Sequence, residues 1–209
     1  MTALTSPGRP RSRAAYTLVE MLIAMAVFGL VMAGVLSFFL QGLDMFHFDV
    51  GKLRVNRDIR AFTSELSDNA TYSNYFRIYR SFTDRAVAQL DGRSGDFLVL
   101  AYVDPDDTER IERLVGYYRA PDATGEGPVR KFDLSFSPST SANLADLLPS
   151  AGQIDAFDQV VELSRGLADG RLFYNYRDRS IMIKGEIIHS GTVTRRATNT
   201  YNFTVTPRG

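Results

Sequence analysis

Few side chains in this sequence have the chemistry of a catalyst, a metal ligand or a charge lock, and their spacing excludes most reactions. Cysteine is absent and histidine occurs only as His47 and His189. That rules out thiolate chemistry and disulfides and leaves a His-based triad or a zinc site short of donors. No phosphate-binding glycine loop, dinucleotide fingerprint or Gly-x-Ser-x-Gly elbow is present. A non-enzymatic protein without a cofactor is expected. Hard oxygen donors cluster in Asp104-Pro105-Asp106-Asp107-Thr108-Glu109, where Asp104, Asp106, Asp107 and Glu109 could hold calcium. The run lacks the spacing and glycine of an EF-hand loop, and its place between two strand-like segments favours a Pro-Asp hairpin turn. Arg195-Arg196, Arg77, Arg80 and Arg85 could touch nucleic-acid phosphates. With 24 basic against 24 acidic residues and no interleaved aromatic platform, solvated faces are expected and no nucleic-acid partner. One carboxylate stands apart: Glu20, at the mouth of an apolar run, where an ionisable group is costly if drawn into hydrocarbon.

The run itself sets the first element. Met21–Leu40 carries no charge over 20 residues, and a helix of that length spans about 30 Å, one hydrocarbon core. Arg9, Arg11 and Arg13 precede it with no acidic residue among them, so the basic side is expected in the cytoplasm and the rest of the chain outside. A secretory signal peptide is the competing reading. Its apolar region is only about 7–15 residues and is followed by a small-x-small site; Ala24-Met25-Ala26 has that form but lies inside the run, and Gln41-Gly42-Leu43-Asp44 after it does not.

Ahead of the run stands Ala14-Ala15-Tyr16-Thr17-Leu18-Val19-Glu20 behind a short basic leader. This resembles the leader motif of type IV pilins and type II secretion pseudopilins, in which a small residue, usually Gly, precedes Phe-Thr-Leu-Ile/Val-Glu. Ala15 and Tyr16 depart from the usual Gly and Phe. The resemblance implies cleavage by a prepilin peptidase between Ala15 and Tyr16, methylation of the new amino group on Tyr16, and an assembly role for Thr17 and Glu20. Glu20 would then pair with the methylated terminus of a neighbouring subunit, a buried pair that sets register better than stability. The alternative is a solvated carboxylate in the headgroup zone, favoured by the helix dipole.

Beyond the run, Leu43, Phe46, Val50 and Leu53, then Val55, Ile59, Phe62 and Leu66, recur at helical spacing. They predict one helix from Tyr16 to about Asp68, roughly 80 Å long, whose second half packs under a sheet. From residue 96 the period becomes two. Asp96–Val103, Arg110–Arg119, Arg130–Phe136, Arg171–Arg177, Ser180–Ser190 and Ala197–Pro207 are rich in β-branched and aromatic residues. Ala120–Pro128 and Ser137–Gln153 read as loops, the second with a helical turn at Asn143–Leu148 capped by Asn143. One long helix followed by about six strands gives an α+β class with mainly antiparallel sheets.

That architecture is similar to the pilin fold, divided as a leader over 1–15, a transmembrane and polymerisation helix over 16–42 and a periplasmic domain over 43–209. Its size, "LADGRLFYNYRD" before "IMIKGEIIHS", and the ending "FTVTPR" resemble J-type minor pseudopilins or W-type minor pilins. The resemblance implies a single-pass inner-membrane protein in a bacterium that enters a type II secretion pseudopilus or a type IV pilus, at the tip or in priming. Its implied partners are the prepilin peptidase, other pilin or pseudopilin subunits, the inner-membrane assembly platform and the lipid bilayer. The competing class is a membrane-anchored periplasmic binding or enzymatic domain that never polymerises.

Overall fold

The computed structural model describes residues 17–189 and 196–208; Ala15, Tyr16, the leader arginines and Arg195 lie outside them. Helix α1 runs over Leu18–Tyr72, 55 residues without a proline, four residues past the expected end. It stops where the Ser73 hydroxyl and amide both donate to the Ala70 carbonyl, at 2.7 and 3.3 Å. A side chain that takes over a helix-terminal carbonyl in this way ends the ladder.

The chain divides into two units, one ending at Phe46 and one beginning at His47. In the first, the described side chains from Thr17 to Phe46 are all exposed, and this stretch is long and apolar enough to cross a membrane. In the second, α1 buries Gly51, Val55, Phe62, Leu66 and Ala70, spaced by three or four residues or their sum, as a helix stripe requires. The expected partners Val55, Ile59, Phe62 and Leu66 do face the core, with Ile59 partly covered. Leu53 does not: it is 69% exposed, because the stripe shifts phase between Val50 and Val55.

Among the described residues nine strands follow: β1 (Tyr75–Tyr79), β2 (Ser94–Gly95), β3 (Phe97–Val103), β4 (Ile111–Arg119), β5 (Glu126–Thr140), β6 (Asp158–Gly166), β7 (Phe173–Tyr176), β8 (Ser180–His189) and β9 (Ala197–Val205). They form a single antiparallel sheet in the order β1-β3-β4-β5-β6-β8-β7-β2, with β9 added on β8. The class is therefore α+β, a long N-terminal helix packed on an antiparallel sheet, consistent with a pilin-like fold. Four strands differ from the sequence reading. β1, β2 and β6 were not expected, and β5 extends at both ends into stretches read as loops, with Pro128 seated at a register shift, the kind of position a strand proline occupies. The helical turn shrinks to α2 (Leu144–Leu147), and Asn143 stands at its N-cap position without a side-chain cap bond.

The core lies on both faces of the sheet. β3 alternates without a break: Leu98 and Leu100 join Val55, Phe62 and Leu66 of α1, while Phe97, Val99 and Ala101 point to the other side. There Phe82 stacks on Tyr118 at 4.2 Å between centroids, and Leu144, Leu147 and Phe157 from the β5–β6 connection cover the cluster. Burial on two faces is why "FLVLAYV" reads as a continuous apolar run rather than an alternating one.

The path from β1 to β2 also closes on itself, because β2 leads through the single residue Asp96 into β3. At that bend the Arg119 guanidinium donates to both Asp96 carboxylate oxygens at 3.0 Å and to the carbonyls of Gly125 and Gly170. The Asp96 carboxylate also accepts the Leu172 amide, and the pair is almost wholly buried, with side chains 1% and 8% exposed. Gly95 makes the bend possible, since a Cβ there would stand 2.0 Å from the Tyr79 carbonyl oxygen. Gly95→Ala should lower stability by about 1–3 kcal/mol or more, the cost of overpacking against something that cannot swing away. An unchanged denaturation midpoint in the full-length protein would show that β1 yields instead.

Candidate functional site

The site begins at the first turn of α1. Thr17 and Glu20 are three residues apart, and each closes the other's backbone. The Glu20 amide donates to Thr17 Oγ1 at 3.2 Å, while Glu20 Oε2 accepts the Thr17 amide at 2.9 Å and the Thr17 hydroxyl at 3.1 Å. The Thr17 carbonyl accepts the first ladder bond from Met21 at 3.2 Å. This is a reciprocal capping box. It was legible as Thr-x-x-Glu directly before an apolar run, a signal the reading of Glu20 as a lone carboxylate overlooked. Both residues are exposed, and among the described residues Oε2 alone carries the carboxylate's contacts.

Three things follow chemically. The cap sets the start of the helix at Leu18, two residues past the Ala15-Tyr16 bond in sequence. Glu20 puts a negative charge against the positive end of the helix dipole. Among the described residues its second oxygen has no hydrogen-bond partner. Ala15 and Tyr16, named from the motif as the cleavage and methylation positions, lie outside the described residues.

The other sequence candidates do not gather around this turn. Asp104–Arg110 form the β3–β4 hairpin connection, as the Pro-Asp pattern suggests. Asp104 accepts the Ser139 hydroxyl at 2.6 Å and the Asp106 amide at 3.0 Å, and those bonds, the hydroxyl first, hold its carboxyl below the usual range. Asp107 accepts the Glu109 amide at 3.1 Å. Asp106 and Glu109 point into solvent. Among the described residues no group of three or more His, Cys, Asp or Glu side chains is placed to hold a metal ion. His189 lies 3.6 Å from Glu162 at the end of β8, and His47 is on α1.

Of the scattered arginines, Arg196 is 2.9 Å from the buried Glu126, and Arg85 donates to the Pro149 carbonyl and lies over the Phe82 ring. Both serve the fold. Arg80 instead lines an open cleft with Arg93 and Arg171, a grouping that only the sheet order creates.

Compared with known families, the chain matches the one described as "Prokaryotic N-terminal methylation motif" over residues 10–36. The match covers the end of the leader, the Ala15-Tyr16 bond, the Thr17–Glu20 box and most of the apolar run, and it indicates a prepilin-type N-terminus. Such a motif implies processing by a prepilin peptidase and suggests a structural pilin subunit rather than an enzyme. No curated protein and no solved structure matches the chain.

Proposed function

We propose that this chain is a minor pilin or pseudopilin subunit of the kind that resembles J-type pseudopilins or W-type pilins. It is made as a prepilin, cut on the cytoplasmic side between Ala15 and Tyr16, and methylated at Tyr16. It then assembles through the apolar first half of α1 into a type II secretion pseudopilus or a type IV pilus, at the tip or in priming, with the sheet domain in the periplasm.

The observation that carries this reading is the Thr17–Glu20 box placed between the motif's cleavage bond and an exposed apolar helix. While the subunit is alone in the bilayer, the carboxylate is satisfied by its own backbone. Cleavage creates an amine four residues upstream. In a bundle of such helices, the free Glu20 oxygen can accept that amine from a neighbour without giving up the cap. The pair then fixes how deep each incoming subunit sits. A separate cytoplasmic ATPase would supply the force, with the inner-membrane assembly platform as a partner.

Intact mass and N-terminal sequencing of protein from membranes of cells with an active prepilin peptidase test this directly. A chain beginning at N-methyl-Tyr16 is expected. A chain starting at Met1 would reduce α1 to a simple anchor for a periplasmic domain, and cleavage after Leu40 would make this a secreted protein.

A further inference from the structure

We infer that an arginine cleft at one end of the sheet domain receives the acidic β3–β4 turn of a second copy, so that copies of this chain join head to tail. The cleft is open, about 290 Å³, and is lined by Arg80, Arg93 and Arg171 with Gln89, Ser94 and Asp169. Arg80 is 3.7 Å from Asp84, Arg171 donates to the Arg80 carbonyl at 2.9 Å, and Asp169 is engaged with Ser94 at 3.5 Å. Arg93 is exposed, and no acidic side chain of the described residues pairs with it.

The same segments carry exposed apolar side chains. Beyond α1, the large hydrophobics left in solvent among the described residues are Val87, Leu90, Leu167 and Tyr176. All four lie on the 80–93 connection, the turn before β7 or the end of β7. Those parts are tied together by the Asn175 bond to the Gln89 carbonyl and the Arg177 amide bond to Asp91. Arginines set among exposed apolar side chains have the composition of a protein interface rather than of a solvated surface.

The occupant is found on the same chain. Asp104, Asp106, Asp107 and Glu109 oppose a single cation, Arg110, in their turn, and the Asp106 and Glu109 carboxylates have no partner among the described residues. Cleft and turn cannot meet within one molecule. Arg80 stands beside Asp96 at the start of β3, the acidic turn follows Val103 at its end, and seven extended residues hold them roughly 20 Å apart. A contact between opposite ends is heterologous, leaving a free cleft and a free turn on the outer copies. It would make a pair or short stack. Individual surface ion pairs are weak, but anchoring both copies in one membrane raises their effective concentration.

The inference concerns the sheet domain and does not need the N-terminus to be processed, so the test uses the uncut full-length chain in membranes of cells lacking prepilin peptidase. The chain has no cysteine. Two differently tagged variants, Arg93→Cys and Asp106→Cys, are therefore co-expressed and the membranes oxidised. A disulfide-linked dimer carrying both tags is expected, several-fold above the dimers that either variant forms with itself, and weaker in high salt. The double variant Arg93→Cys/Asp106→Cys should give a ladder beyond the dimer. Absence of the mixed dimer, or equal self-dimers from each single variant, overturns the head-to-tail contact. Adding Arg80→Glu to the Arg93→Cys partner should lower the yield, and an unchanged yield would show mere collision.

Discussion

Glu20→Ala is expected to abolish entry into the filament while leaving membrane insertion and the sheet domain intact. The residue belongs to the first turn of α1, in the unit that ends at Phe46, and makes none of the contacts that hold the sheet. Its loss removes both the cap on the Thr17 amide and the acceptor for a neighbour's amine. If the second role dominates, co-purification with other pilin-like subunits should fall by about tenfold or more, as when one member of a desolvated ion pair is deleted. Glu20→Gln separates the roles, because glutamine can still close a capping box but carries no charge. Failure of the glutamine variant assigns the effect to charge pairing. Normal assembly of glutamine with failure of alanine assigns it to the helix start, and normal assembly of both would sink the account of Glu20 altogether.

The largest stability effect should come from the bend at Asp96. Arg119→Met leaves a buried carboxylate without its guanidinium and strips the Gly125 and Gly170 carbonyls of their donor. Breaking a buried pair from one side costs about 3–5 kcal/mol, read as the shift in urea midpoint of the full-length protein in detergent. Asp96→Asn should cost less, since the amide oxygen can still accept the Leu172 amide or an Arg119 donor. Replacing both with apolar residues of similar volume should recover part of the loss. Equal destabilisation by all three changes would mean that shape, rather than the pair, holds the bend.

Much of the fold was readable where one local rule ruled alone. The span before Leu40 follows from hydropathy, and β3, β4, β8 and β9 from β-rich runs bounded by turns. β1 was lost because "YFRIY" follows the helical end of "SELSDNATY" with only Ser73 and Asn74 between, too little for the change of period to register. β6 was missed because "DQVVELSRG" mixes exposed polar and half-buried positions in the pattern eeiBeiBeB, which dilutes any period of two. At the site, Glu20 stood out by charge, while its pairing with Thr17 required noticing a spacing of three. Arg119, Asp96, Arg93 and Arg171 could not be recognised at all, and Arg80 stood out only as a scattered cation, not as their neighbour. They are brought together by strand order, over sequence separations of 23 residues for the buried pair and 91 for the Arg171 bond to Arg80, and no local pattern encodes that.

The closure through Asp96 sorts the sheet into a girdle and two margins. β3, β4, β5, β6, β8, β7 and β2 form a run of ladders whose last strand is joined back to the first by the chain itself through Asp96, whereas β1 and β9 each hang on it through one ladder. β4, β5, β6, β7 and β8 each hold at least two ladders and cannot peel away without opening both, so amide exchange there is tied to loss of the whole domain. The margins can fray singly. β1 continues directly from α1, but α1 already grips the girdle through the Asn69 bond to Tyr117 and the Lys131 bond to Glu65, so a disturbance passed down the helix meets β4 and β5 before it reaches a margin.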